Sequence, residues 1–180
     1  MKKILLFSLL ITSLYSDAKI YLGASVGGYL EQLDSNSKSA TTEMITLKAG
    51  YGDIKAYAVE FSLDYINNKT ALFASGDGVK YGMNVSLLKS FDFDLFFIPF
   101  VRGGFGAGKM DSNAKANKNS LAYGSFNLGI GSFIPLSDSF DLEVGYDYRA
   151  VTYEKADAGN STSISKSNVN QLYVGVNYRF

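Results

Sequence analysis

From Lys19 onward, apolar and polar residues alternate with a period of two, the mark of strands whose two faces meet different surroundings. The first segment sets Ile20, Leu22, Ala24, Val26 and Leu30 against Tyr21, Gly23, Ser25, Gly27, Tyr29 and Glu31. A second opposes Ile45, Leu47, Ala49 and Tyr51 to Thr46, Lys48 and Gly50, and a third opposes Tyr57, Val59, Phe61, Leu63 and Tyr65 to Glu60, Ser62 and Asp64. The fourth carries Val79, Tyr81, Met83, Val85 and Leu87 against Lys80, Gly82, Asn84 and Ser86. A fifth, predicted from about Phe93 to Gly108, places Leu95, Phe97, Val101 and Phe105 opposite Arg102, Gly104 and Gly106. The sixth pits Phe126, Leu128 and Ile130 against Ser125, Asn127 and Gly129; the seventh pits Leu142, Val144, Tyr146 and Tyr148 against Glu143, Gly145, Asp147 and Arg149. The last alternates Leu172, Val174, Val176, Tyr178 and Phe180 with Gln171, Tyr173, Asn177 and Arg179. No segment carries a helical stripe of comparable quality, so residues 19–180 read as one all-β domain.

The connections alternate in length. Long polar stretches fall near residues 32–42, 66–78, 109–120 and 155–167, and short turns near 52–55, 89–92 and 135–139. Long loops at one end and tight turns at the other suit a membrane barrel. Ahead of the strands, Met1-Lys2-Lys3 is a basic start, Ile4 to Leu14 an apolar run, and Ser16-Asp17-Ala18 a small-residue cleavage pattern. Residues 1–18 therefore read as a Sec-type signal peptide cut after Ala18.

Period two alone leaves two barrels open, one with its apolar face on lipid and one, lipocalin-like and soluble, with that face inward. Three features favour lipid. The polar faces gather small residues and opposite charges, namely Lys48, Glu60, Asp64, Lys80, Arg102, Glu143, Asp147, Arg149 and Arg179. Counting register from the turns places Lys48 near Glu60, Asp64 near Lys80 and Glu143 near Arg179, pairs that would offset the cost of burying charge in a narrow barrel. Several apolar faces end in aromatics, among them Tyr51, Tyr57, Tyr65, Tyr81, Tyr148 and Tyr178, as interfacial girdles do. The third feature is the terminal pattern Leu172-x-Val174-x-Val176-x-Tyr178-x-Phe180.

With Ile98-Pro99-Phe100-Val101-Arg102-Gly103-Gly104-Phe105-Gly106 and Glu143-Val144-Gly145-Tyr146-Asp147-Tyr148-Arg149, that terminal pattern resembles the small eight-stranded outer-membrane proteins. These include the OmpA transmembrane domain and the OmpX/Ail group. The resemblance implies an antiparallel up-and-down transmembrane β-barrel in the bacterial outer membrane. It also implies that Leu172, Val174, Val176, Tyr178 and Phe180 are read by the barrel-assembly machinery. Nothing follows Phe180, so a peptidoglycan-binding domain like that of full-length OmpA proteins is not expected.

Composition narrows the function. The 180 residues include no His and no Cys, which removes zinc sites, disulfides and His-based nucleophile pairs, and no cofactor is expected. The balance of 17 Lys+Arg against 17 Asp+Glu argues against a nucleic-acid partner. Gly103, Gly108 and Lys109 match the spacing of a phosphate-binding loop, but Met110 stands where the magnesium-binding hydroxyl belongs. Glu60 with Asp64, or Glu143 with Asp147, could act as acid and base, although the nearby cations make a structural role the better reading. Pro99 cannot donate to a closed ladder and is expected at a strand end or bulge. Lys109, Lys115 and Lys118, with only Asp111 nearby, form a basic loop suited to lipopolysaccharide phosphates, against the alternative of ordinary solvation. The reading predicts a non-enzymatic outer-membrane barrel with a plugged polar interior. Its role would be structural or adhesion-like, with four long loops meeting a surface partner. The soluble binding barrel and a narrow pore remain the alternatives.

Overall fold

The computed structural model describes residues 18–33, 39–67, 78–115, 118–154, 156–158, 161–163 and 166–180. Ten strands follow in order: β1 (Lys19–Leu33), β2 (Ser39–Gly52), β3 (Tyr57–Ile66), β4 (Lys80–Ser90), β5 (Ile98–Lys115), β6 (Lys118–Pro135), β7 (Phe140–Tyr153), β8 (Ala156–Ala158), β9 (Ser161–Ser163) and β10 (Lys166–Arg179). Eight of them close an antiparallel barrel in the order β1-β10-β7-β6-β5-β4-β3-β2, while β8 and β9 pair as a separate hairpin. The seam joins β1 to β10 from Tyr21 opposite Arg179 to Leu33 opposite Ser167. Because closure leaves no strand edge, every ladder finds its partner within the wall.

The alternation now acquires a direction. Ile20, Leu22, Val26, Leu47, Phe61, Val85 and Leu128 point outward and are exposed, whereas Lys48, Glu60, Asp64, Glu143 and Asp147 are buried inside. A soluble lipocalin-like barrel would have the reverse arrangement. On β3, Tyr57 and Tyr65 bracket Val59, Phe61 and Leu63 on the outer face, and Tyr65 meets Tyr81 edge-on at 5.6 Å near the loop end.

The tight turns set the register. Between β2 and β3, Asp53 N–H donates to Tyr57 O at 2.9 Å and Ala56 N–H to Asp53 O at 2.9 Å. Gly52 enters this turn at φ +151°, where an added Cβ would stand 2.2 Å from Tyr57 O. Between β6 and β7, Leu136 N–H donates to Phe140 O at 2.8 Å.

Two expectations are corrected. The fifth strand begins at Ile98, and Phe93, Leu95 and Phe97 belong to the turn before it. Asp94 adopts φ 57° and donates its N–H to Asp92 Oδ1 at 3.0 Å, a local turn that competes with the ladder. The polar stretch 109–120 is largely strand, since β5 runs to Lys115, opposite Lys118, with a register shift between Asp111 and Lys115. Residues 39–42 likewise belong to β2, and 156–158 and 161–163 form the β8–β9 hairpin. Beyond the apolar belt both faces become polar, so the alternation fades although backbone groups still gain by pairing. Pro99 is the second residue of β5, at the turn end, and its carbonyl accepts from Phe91 N–H at 2.9 Å.

Candidate functional site

The lumen is filled in three layers. At the turn end Tyr21, Ile54, Leu88, Ile98, Phe100 and Phe133 form an apolar cap. At the loop end Tyr29, Met44, Ile66, Met110, Leu121, Tyr123 and Tyr153 form another. Charged side chains lie between and within them.

In the central layer Lys48 from β2 reaches across the barrel to Glu143 on β7 and also lies 3.7 Å from Glu60. Arg102 on β5 donates to Glu60 at 3.1 Å, contacts Asp147 through both Nε and Nη2, and lies 3.7 Å from Glu143. Arg149 donates to Asp64, which also accepts from Thr46 at 2.8 Å and Asn84 at 2.8 Å. Neutral donors complete the shells: Tyr21 to Glu60 at 2.9 Å, and Tyr173 (2.9 Å) and Asn177 (2.8 Å) to Glu143. Carboxylates so surrounded offset the large cost of removing charge from water.

Inward glycines make these reaches sterically feasible. Gly129 lies opposite both Arg102 and Asp147, and a Cβ there would stand 2.0 Å from Asp147 Oδ1. Gly50, opposite both Tyr21 and Glu60, lets the Tyr21 ring cross to its acceptor, 2.0 Å from where a Cβ would sit.

Two expected pairs are rearranged. Lys80 lies opposite Ile66, not Asp64, and crosses the lumen to Glu31 at 3.0 Å. Its ammonium also donates to the hydroxyls of Tyr29 and Tyr153 at 2.7 Å each and stands 4.4 Å from the Tyr123 ring centre. Glu31 accepts in addition from Tyr153 and Ser167. Arg179 pairs with Asp141 at 2.8 Å, while Glu143 lies opposite Gly175. Counting along adjacent strands sees only nearest neighbours, and a narrow barrel permits contacts across the lumen. Glu31, on the inward face of β1, is reached by Lys80 only across the lumen, whereas Asp141 lies on the strand next to Arg179, opposite Asn177, and differs from the expected Glu143 by a shift of two residues in register.

A cavity of about 20 Å³ remains among Lys48, Glu60, Arg102, Asn127, Arg149 and Gln171, enough for a water molecule. Among the described residues no group of three or more acids, Cys or His is arranged to hold a metal ion. The stretch from Gly103 to Met110 lies wholly within β5, and the next element among the described residues is strand β6.

Outside the lumen, Leu172, Val174, Val176, Tyr178 and Phe180 form an exposed stripe on and just after β10. The Tyr178 ring lies 4.9 Å from both Phe140 and Phe180, and Phe180 N–H donates to Ile20 O at 3.0 Å. Lys109 is exposed beside Tyr81. The side chains of Lys115 and Lys118 lie outside the described residues, as do residues 1–17 of the leader. At the turn end, Lys55 and Asp92 pair at 3.0 Å. This hydrogen bond, with that from Asp94 N–H, lowers the Asp92 carboxyl below its usual range, and Asp92 in turn raises the Lys55 ammonium.

Residues 4–180 match the family described as outer membrane protein beta-barrel domain. The chain belongs to this family. As an outer-membrane β-barrel protein, it resides in the bacterial outer membrane, and its exposed apolar belt is the lipid-facing wall. Neisserial surface protein A (NspA) has a similar structure, with a TM-score of 0.69 at 17% identity over 92% of this chain and 100% of that one. Ail, the attachment invasion locus protein of Yersinia pestis, gives 0.57 at 16% identity over 92% and 100%. The N-terminal barrel domain of Pseudomonas aeruginosa OprF gives 0.55 at 10% identity over 88% and 97%. No curated protein matches the sequence.

Proposed function

We propose that this outer-membrane barrel is a sealed, non-catalytic scaffold that presents its loop end to the exterior for structural or adhesion-like contacts. The observation that carries this reading is the lumen: two apolar caps enclose a charge network, and the cavity between them is only about 20 Å³. Eight-stranded barrels have room for side chains and little else. The central acids Glu60, Asp64, Glu143 and Asp147 accept from Lys, Arg, Tyr and Asn donors, which leaves them poorly suited to acid–base work. Planar-bilayer recordings on purified protein test the seal. No steady ohmic conductance is expected; a large, persistent one defeats this reading and favours the narrow pore.

Residues 1–18 are removed in this scheme, so the mature chain starts at Lys19, which intact-mass measurement of membrane-extracted protein checks directly. The loop end carries Lys109, Lys115 and Lys118 on one hairpin, where they suit lipopolysaccharide phosphates. A structure of Ail in complex with the heparin analogue sucrose octasulfate supports the notion that such barrels can meet polyanions at their surface. Replacing the three lysines together by Gln should weaken lipopolysaccharide binding in a manner that added salt mimics. Unchanged, salt-insensitive binding would remove these residues from the contact.

A further inference from the structure

The turn between β4 and β5 has an apolar surface that a simple strand connection does not need. Phe96 is 78% exposed, more than any other large apolar side chain of the described residues, and Phe93 (63%) and Leu95 (52%) beside it are exposed as well. The other turns differ: Ile54 between β2 and β3 tucks into the lumen, and 136–139 exposes one large apolar residue, Leu136.

The geometry gives this surface a direction. Phe91 borders an outward groove with Val101, Ile130, Val144 and Leu172, so its ring belongs to the lipid-facing wall. Phe93 stacks on Phe91, with ring centres 6.3 Å apart and planes within 9°. Asp92, between them in sequence, turns instead to Lys55 of the neighbouring turn. The aromatic side is thus continuous with the membrane belt, and the charged side faces the adjoining turn.

We infer that residues 91–97 form a wedge seated in the phospholipid headgroup region at the turn end of the barrel, with Phe93 and Phe96 as its anchors. Exposed apolar surface continuous with a lipid belt, with charge on its other side, is best satisfied at the boundary between headgroups and chains, where the Phe and Leu side chains of an amphipathic segment bury shallowly. Lys89 supports this placement. It points outward near the end of β4, with its ammonium 4.0 Å from the Tyr57 ring centre and 5.7 Å from that of Phe91, so a cation stands where the apolar belt ends, as suits a boundary with lipid headgroups.

The chain has no Trp, so a single introduced indole reports its surroundings without background. The variants Phe93→Trp and Phe96→Trp are refolded into phosphatidylcholine vesicles, with Phe105→Trp, 71% exposed on the mid-wall, as the reference for insertion. Bromine placed near the headgroup end of the lipid chains should quench both turn indoles strongly, with blue-shifted emission and little quenching by aqueous iodide. Emission typical of water, with iodide quenching and no response to headgroup-end bromine while Phe105→Trp responds to bromine placed near the chain ends, overturns the wedge and leaves the turn as a surface for a soluble partner. If Phe105→Trp also fails to respond, in protein that migrates as folded, insertion itself fails and the inference falls with it. Should one turn variant not fold, the other decides.

Discussion

Glu31 and Lys80 meet inside a ring of tyrosines, where each is almost wholly removed from water. Replacing one partner leaves the other buried and charged, so Lys80→Met should cost about 3–5 kcal/mol, read as a fall in the urea concentration needed to unfold the barrel in detergent. The double variant Glu31→Leu/Lys80→Met should recover most of that loss, because an apolar pair suits the surrounding cap. Gly129 presents the opposite problem, a place where mass cannot be added. Gly129→Val should destabilise by about 1–3 kcal/mol and weaken the Arg102–Asp147 contact beneath it, as the same titration would show. The exposed Lys55–Asp92 pair should matter far less. Since the Asp92 carboxyl is lowered, any contribution is present at neutral pH and disappears as acid protonates it, yet Asp92→Asn should leave the unfolding midpoint unchanged at both extremes.

At the scale of elements, β10 holds both the seam and the terminal aromatic stripe. Phe180 closes against Ile20 and packs on Tyr178, outside the filled lumen. Phe180→Ser should therefore reduce the amount of folded barrel in cell membranes while leaving refolding in detergent nearly intact; an equal loss in both would reduce its role to packing. Strand faces were legible because lipid and lumen impose opposite chemistry on successive residues. The start of β5 was not, since Phe93, Leu95 and Phe97 keep the alternation while Asp94 bends the backbone out of the ladder. Nor were the outer extensions of β2, β5 and β6, where both faces are polar and only backbone pairing maintains the strand. The ionic residues can be picked out as a set from their shared inward face, and Lys48 does meet Glu60, but Lys80 and Glu143 cannot be matched by counting because they choose partners across the lumen.

For the molecule as a whole, those choices tie together strands that are not neighbours. Lys48 to Glu143 joins β2 to β7, Arg149 to Asp64 joins β7 to β3, and Lys80 to Glu31 joins β4 to β1. None of these links depends on the ladder between two adjacent strands; each needs opposite walls brought to their final separation. An open or mis-registered sheet would hold several unmatched charges at once, and a slip of two residues at the seam would dislocate many of them together. The network thus ties the stability of the barrel to a single closure and register, the one in which every charge is answered.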